Sequence, residues 1–125
     1  MKKMWFLILV STSLLSACAT SGDAGTAIEG YISAVVAQDM DTAVNASCVA
    51  WEASAQTEVR SFDGVTARID GLDCTAGAKD GEFTLVSCVG TITATYQGED
   101  RPIELNARTY LAASEGGEFR MCGYR

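Results

Sequence analysis

The hydrophobic pattern of the chain changes at Asp63-Gly64, and this change constrains the fold more than any other feature. Before it, apolar residues recur at helical spacing, and after it they alternate with polar residues as in half-buried strands. An Asp-Gly pair is itself a turn signal. Helices followed by strands with short connections predict an α+β domain, in which N-terminal helices pack on one face of an antiparallel sheet.

Three helices are predicted ahead of the turn. The first begins at Thr26, which has the spacing of a capping box with Glu29. Asp39 or Asp41 can cap a second, shorter helix, and a third covers about residues 49–62. The apolar faces contain Ile28, Tyr31, Ile32, Val35 and Val36 in the first helix and Trp51, Ala55, Val59 and Phe62 in the third.

Four strands are predicted after the turn, and together they form a bent antiparallel sheet. They cover residues 65–74, 82–97, 103–111 and 118–124, with glycine-rich turns between them. Within the second strand, Phe83 and Leu85 share one parity, whereas Ile92 and Ala94 share the other. We therefore expect a bulge or kink at Gly90 that swaps the parity facing inward.

Four cysteines fall in the predicted domain, namely Cys48, Cys74, Cys88 and Cys122. An even number of cysteines predicts two disulfides in a chain that folds in an oxidising compartment. Three pairings are open, and the predicted strands favour Cys74 with Cys88 across a hairpin, which leaves Cys48 to join a helix to the last strand through Cys122. A four-thiolate zinc site is the disfavoured alternative, because the chain has neither a C-x-x-C pair nor a histidine.

The N-terminus resembles a bacterial lipoprotein export signal. Two lysines precede an apolar run, and the sequence Leu-Ser-Ala-Cys at residues 15–18 closes it. The apolar run is too short for a stable spanning helix, which needs about 20 residues. The resemblance implies that residues 1–17 are removed as a signal peptide. It also implies that Cys18 carries palmitate-type acyl chains, which hold the protein on a membrane.

The remaining chain divides into two parts. Small polar residues predict a lipidated tether over residues 18–25, and a single domain over residues 26–125 follows. Ala19 stands where an inner-membrane retention signal usually has Asp, so the resemblance implies the outer membrane in a cell with two membranes. Loss of the two lysines takes the formal charge from −7 to −9. Such a charge repels phosphate backbones, and nucleic acid is not expected as a partner.

The sequence lacks the common catalytic patterns. Without histidine, Ser-His-Asp and Cys-His catalysis are excluded, and neither a phosphate-binding P-loop nor a dinucleotide-binding glycine motif is present. No catalytic residue, metal or cofactor is therefore predicted. Asp70 and Asp73 follow the first predicted strand, where a carboxylate could reach a pocket, but Asp70-Gly71 is equally a turn signal.

The chain resembles the nuclear transport factor 2-like superfamily, and within or near it small bacterial envelope lipoproteins of unassigned function. The resemblance rests on Trp51, Phe62 and residues 87–90, 95–100, 108–110 and 115–124. It implies a cone-shaped, cystatin-like α+β fold with a space between helices and sheet. Some members bind hydrophobic small molecules in that space, and some place an Asp base and Tyr donors there.

Aromatic residues with a polar tip are the candidates for lining such a pocket. Tyr31, Trp51, Tyr96 and Tyr110 are the predicted pocket residues, with Tyr124 as a further hydroxyl, although such residues are also common in cores.

The leading functional hypothesis is a lipid-anchored envelope protein, without enzymatic activity, that binds a small apolar ligand or an envelope partner. The first alternative is a proton-transfer enzyme, which requires a carboxylate in the cavity within hydrogen-bond reach of a tyrosine. The second is an inhibitor or other interaction protein, which requires an exposed patch or an acidic loop, for instance around Glu99 and Asp100.

Overall fold

The computed structural model describes residues 23–125, where helices precede an antiparallel sheet and confirm the α+β class. The helices are α1 (Ala24–Val36), α2 (Met40–Asn45) and α3 (Glu52–Arg60), with a 3-10 turn at Val49–Trp51 before α3. The strands are β1 (Thr66–Asp80), β2 (Phe83–Tyr96), β3 (Glu99–Glu104), β4 (Thr109–Glu115) and β5 (Glu118–Tyr124). The predicted signal peptide, Cys18 and most of the tether lie outside the described residues.

The central strand of the sheet is β2, which has β1 along one edge and two strands along the other. Its first half pairs with β4 and its second half with β3, while β5 pairs with β4. The predicted third strand is therefore two strands, separated by a 3-10 turn at Leu105–Ala107. The single-strand prediction was wrong because Leu105 turns into the core, where it is 3% exposed, while the chain moves between the two halves of β2.

The predicted parity swap at Gly90 was also wrong for β2. Even-numbered residues face the core on both sides of Gly90, as the buried positions Thr84, Val86, Cys88, Ile92 and Ala94 show. Phe83 and Leu85 belong to the other, partly exposed face of the sheet. Their hydrophobicity suggested an inward orientation that the structure does not give them.

The irregularity instead lies in β1, directly opposite Gly90. Asp70 pairs with Thr91 and Asp73 with Val89, so two residues of β1 oppose one residue of β2. This is a β-bulge, and it switches the inward-facing parity of β1. Gly90 has φ 120°, and an added Cβ would lie 2.9 Å from the backbone of Gly71. Glycine is required there because the bulged strand comes too close for a side chain.

Helix α1 starts earlier than expected, and Thr26 is not its cap. Asp23 accepts a hydrogen bond from the Thr26 backbone N–H at 2.8 Å, and the helix begins at Ala24. Glu29, the predicted partner in the capping box, accepts instead from the backbone N–H of Cys74 at 2.8 Å. A Cβ on Gly25 would collide with the Cys74 carbonyl oxygen, so the first turn docks against β1 where a tether was expected.

Helix α2 begins as predicted after an aspartate. Asp39, of the two candidates, accepts hydrogen bonds from the Thr42 backbone N–H at 3.1 Å and from its hydroxyl at 2.7 Å. The hydroxyl and then the N–H of Thr42 lower the pKa of Asp39, because both stabilise its ionised form.

Two disulfides form in the predicted pairs: Cys74–Cys88 joins β1 to β2, and Cys48–Cys122 joins the helical region to β5. Cys74 and Cys88 are direct cross-strand neighbours with a Cα–Cα distance of 4.1 Å, and Cys48 and Cys122 are 5.0 Å apart. Beside the second pair, the Cys48 N–H donates to the Met121 carbonyl at 2.7 Å, which adds a short parallel bridge to β5. Within residues 23–125 no cluster of metal-ligating side chains accompanies these cysteines.

The core lies between the helices and one face of the sheet. Its largest fully buried side chains include Tyr31, Ile28, Met121 and Val86. No helix in residues 23–125 is long and apolar enough to cross a membrane.

Candidate functional site

A cavity of about 290 Å3 opens between α1, α3 and the β3–β4 connection. The apolar side chains lining it are Ile32, Val35, Phe62, Ile92, Ile103 and Leu105, and the polar ones are Tyr31, Thr57, Glu58, Ser61, Glu104, Arg108, Tyr110 and Tyr124. Its volume is near the lower end of the roughly 300–1,000 Å3 usual for ligand pockets. Apolar atoms, including the rings and stems of the polar residues, form most of its surface, and an apolar surface with convergent polar groups is typical of a small-molecule site.

A chain of hydrogen bonds connects the helices at this cavity. Trp51 Nε1 donates to the Tyr31 hydroxyl at 3.1 Å, and that hydroxyl donates to Glu58 Oε2 at 2.7 Å. Tyr31 lies in the middle of α1 and is 1% exposed, while Glu58 lies on α3 with a partly exposed side chain. The Tyr31 hydroxyl thus uses both its acceptor and its donor capacity, which fixes its orientation.

Arg108 lies at the mouth of the cavity and contacts Glu58 only loosely. Its Nη1 is 3.9 Å from Glu58 Oε1, which is longer than a hydrogen bond. The guanidinium carbon is 4.0 Å from the centre of the Tyr124 ring, a cation–π geometry that holds the side chain in place. Arg108 directly precedes β4, so the 3-10 turn that separates β3 from β4 also positions this cation.

Three aromatic rings pack edge to face beside the polar groups. The centroid of the Tyr124 ring lies 5.4 Å from that of Trp51 and 6.1 Å from that of Tyr110. Tyr110 and Tyr124 are cross-strand neighbours on β4 and β5. Such pairs add about 0.5–1.5 kcal/mol beyond their area burial, so they stabilise the packing of Tyr110 and Tyr124 in the cavity wall.

Burial raises the pKa of three tyrosines in the cluster. For Tyr31 the cause is desolvation first and then the hydrogen bond to Glu58, which favours the neutral hydroxyl. For Tyr110 desolvation is the main cause, and for Tyr124 the negative charge of Glu58 follows desolvation. The three hydroxyls are therefore neutral at physiological pH and act as hydrogen-bonding groups.

The predicted pocket residues have different fates. Tyr31 and Tyr110 line the cavity, as does Tyr124. Trp51 does not line it but donates the hydrogen bond that orients the Tyr31 hydroxyl. Trp51 borders a shallower neighbouring depression together with Tyr124 and Glu58. Tyr96 is 40% exposed at the end of β2, with Arg101 5.6 Å from its ring centre, and stands apart from the cavity.

The acidic candidates lie elsewhere. Asp70 and Asp73 are exposed at the β1 bulge and are absent from the cavity wall, and Asp70 pairs with Arg68 at 3.3 Å. Glu99 and Asp100 begin β3, where Asp100 accepts a 2.6 Å hydrogen bond from the Thr95 hydroxyl.

Glu58 and Arg108 are the functional candidates that sequence reasoning missed. Glu58 follows Trp51 by seven residues and precedes Phe62 by four, so helical spacing places it on the apolar face of α3. A charged residue on an apolar face is a signal that could have identified it. No comparable signal marks Arg108, because its approach to Glu58 depends on the turn between β3 and β4.

Comparison with known proteins gave no match: no family model, no curated protein and no solved structure is significantly similar to this chain. Fold and site alone therefore define its class. It is an α+β domain with two disulfides, and an apolar cavity in it holds a tyrosine–carboxylate pair.

Proposed function

We propose that this protein binds a small, mostly apolar molecule in the cavity between α1, α3 and the sheet. The observation that carries the proposal is the Tyr31–Glu58 hydrogen bond of 2.7 Å beside a mainly apolar cavity. Protein cores leave few voids larger than a water molecule, and a small number of polar groups placed at a mainly apolar cavity is what orients a ligand there. Departures of this kind from ordinary packing are concentrated at functional sites.

The proposal extends to location. The export signal and the lipidation of Cys18 predicted from the sequence would place the domain on a membrane in the cell envelope, and two disulfides suit an oxidising compartment. Incorporation of labelled palmitate by the wild-type protein but not by Cys18→Ser would support this. Equal labelling of the two would contradict it.

Ligand binding can be tested with N-phenyl-1-naphthylamine, a neutral apolar dye whose fluorescence rises in dry pockets. Ile103→Trp should weaken dye binding at least about tenfold, because Ile103 lines the cavity and a larger ring would occupy it. Val89→Trp is the matched control. Val89 is 54% exposed and alternates with buried Cys88, so it lies on the other face of β2.

The dye experiment has clear opposite outcomes. Loss of binding in Ile103→Trp with retention in Val89→Trp supports the cavity as the binding site. Absence of dye binding to the wild-type protein, or equal binding by both variants, would refute ligand binding at this site.

The same contact favours a second candidate function, proton transfer. A general base must lie within hydrogen-bond reach of its proton, and Glu58 is a carboxylate at an apolar cavity with Tyr110 and Tyr124 hydroxyls nearby. In such a reaction Glu58 would take a proton from carbon next to a carbonyl, while a tyrosine hydroxyl donates to the developing oxyanion.

Exchange of the α-protons of small cyclic ketones in D2O, followed by NMR, tests this candidate. Catalysed exchange by the wild-type protein that falls at least about a hundredfold in Glu58→Gln would support it. Exchange no faster than in buffer, with dye binding intact, would leave ligand binding as the function.

A further inference from the structure

We infer that the ligand carries a cationic amine, which pairs with the Glu58 carboxylate while its apolar body fills the cavity. This inference rests on the proposed function. It specifies the chemical class of the ligand at the same site.

Negatively charged side chains outnumber positively charged ones around the cavity. Glu58 and Glu104 contribute two carboxylates to the wall, and Arg108 contributes one guanidinium. The chain as a whole is acidic, with a formal charge of −7. These charges do not create a positive potential that would attract an anion. A cation would be attracted by the carboxylates of the cavity and by the net negative charge of the chain.

Glu58 and Arg108 do not form a close ion pair. Oε2 accepts the short hydrogen bond from Tyr31, and after desolvation and the charge of Glu58, a hydrogen bond to the same carboxylate contributes to the raised pKa of Tyr124. The cation Arg108, by contrast, has its Nη1 3.9 Å from Oε1. Arg108 is held at this distance by its contact with the Tyr124 ring. An ammonium group has three donors, so it could approach Oε1 to hydrogen-bond distance and form the close ion pair that Arg108 does not form.

Aromatic side chains form part of the cavity wall beside Glu58. Tyr31 and Tyr110 line the cavity near the carboxylate, and the Tyr124 ring already holds Arg108. Their rings limit the access of water, and an ion pair between an ammonium group and Glu58 is stronger where water is limited. A ligand carboxylate would meet the opposite situation. It would have to compete with the Tyr124 ring for Arg108 while lying close to Glu58, and like charges repel strongly in a poorly solvated cavity.

The test uses three probes of matched shape, namely cyclohexylmethylamine, cyclohexylmethanol and cyclohexanecarboxylate, each displacing N-phenyl-1-naphthylamine. The amine should displace the dye at a concentration at least about tenfold lower than the alcohol, and the carboxylate should be the weakest. Equal displacement by amine and alcohol, or preference for the carboxylate, would overturn the inference while the proposed function stands. Failure of the dye to bind would overturn both.

Variants then assign the preference to individual charges. Glu58→Gln should bind the dye but lose the preference for the amine, because the amide can still accept from Tyr31 and carries no charge. Arg108→Gln should increase that preference by removing the competing cation, which gives an independent test if Glu58→Gln folds poorly. The matched control is Glu82→Gln, an exposed carboxylate in the β1–β2 turn, which should retain the wild-type preference. A preference that persists in Glu58→Gln, or falls in Arg108→Gln, would contradict the assignment.

Discussion

The hydroxyl of Tyr31 donates a 2.7 Å hydrogen bond to Glu58 Oε2 and joins α1 to α3 at the edge of the cavity. Because Tyr31 is almost wholly buried and Glu58 is partly exposed, the pair extends from the core to the cavity wall. The same hydroxyl accepts from Trp51, so the contact holds together two helices and the turn that precedes α3. This one polar contact therefore contributes both to the packing of the helices and to the proposed binding site.

Removing the Tyr31 hydroxyl should destabilise the domain. Tyr31→Phe is expected to lower the free energy of unfolding by about 1–3 kcal/mol, because it deletes a hydrogen bond to a charged group and leaves the Trp51 N–H without its acceptor. Urea unfolding followed by circular dichroism measures this. Tyr96→Phe is the control, since Tyr96 is exposed, and it should change stability by no more than about 0.5 kcal/mol. Equal effects of the two substitutions would contradict the role given to Tyr31.

Stability should fall at alkaline pH. The folded-state pKa of Tyr31 lies above its unfolded value near 10, so folding favours the neutral hydroxyl. Its contribution is fully present below about pH 10 and is lost as pH rises toward the folded-state pKa. Urea unfolding at pH 8 to 11 should show this loss, and Tyr31→Phe should reduce the slope. An identical slope in the variant would show that other groups cause the loss, such as Tyr110 and Tyr124, whose pKa values are also raised.

The two disulfides should differ in their contribution to stability. Their sequence separations are 74 residues for Cys48–Cys122 and 14 residues for Cys74–Cys88. In the chain-entropy model the longer loop contributes about 4.5 kcal/mol and the shorter about 3 kcal/mol. Double alanine variants, each removing one pair, should therefore differ in free energy of unfolding by about 1.5 kcal/mol when measured in denaturant. A larger loss from removing the shorter loop would show that packing of the cysteines outweighs loop closure.

The glycine at the bulge should be intolerant of a side chain. Gly90→Ala places a Cβ 2.9 Å from the Gly71 backbone at φ 120°, and we expect a loss of at least about 2 kcal/mol. Gly30→Ala is the matched control in α1, where nothing lies within 4 Å of the added Cβ, and it should stabilise by up to about 1 kcal/mol. The melting temperature should fall in Gly90→Ala and rise in Gly30→Ala relative to the wild-type protein. A tolerated alanine at position 90 would show that the bulge can relax.

The sequence alone determined those features that depend on local periodicity and composition. The change from helical to alternating pattern at Asp63-Gly64 predicted helices followed by an antiparallel sheet. Strand positions favoured the Cys74–Cys88 pair among three possible pairings, and the structure contains that pair. These predictions succeed because periodicity reports directly which side of an element is buried. Tyr31 was predicted to line a pocket for a different reason, namely that the family resemblance implied a pocket and an aromatic residue with a hydroxyl suits its wall; Tyr31 does line the cavity.

Only the tertiary structure decided which residues meet. The alternating pattern predicted one strand where the turn at Leu105 separates β3 from β4. The bulge lies in β1, opposite Gly90, because strand register depends on both partners. Glu58 and Arg108 come together from α3 and the start of β4, which lie far apart in sequence. Local pattern contains no information on such distant pairs, because their distance is fixed by how the helices pack on the sheet and where the strands are interrupted.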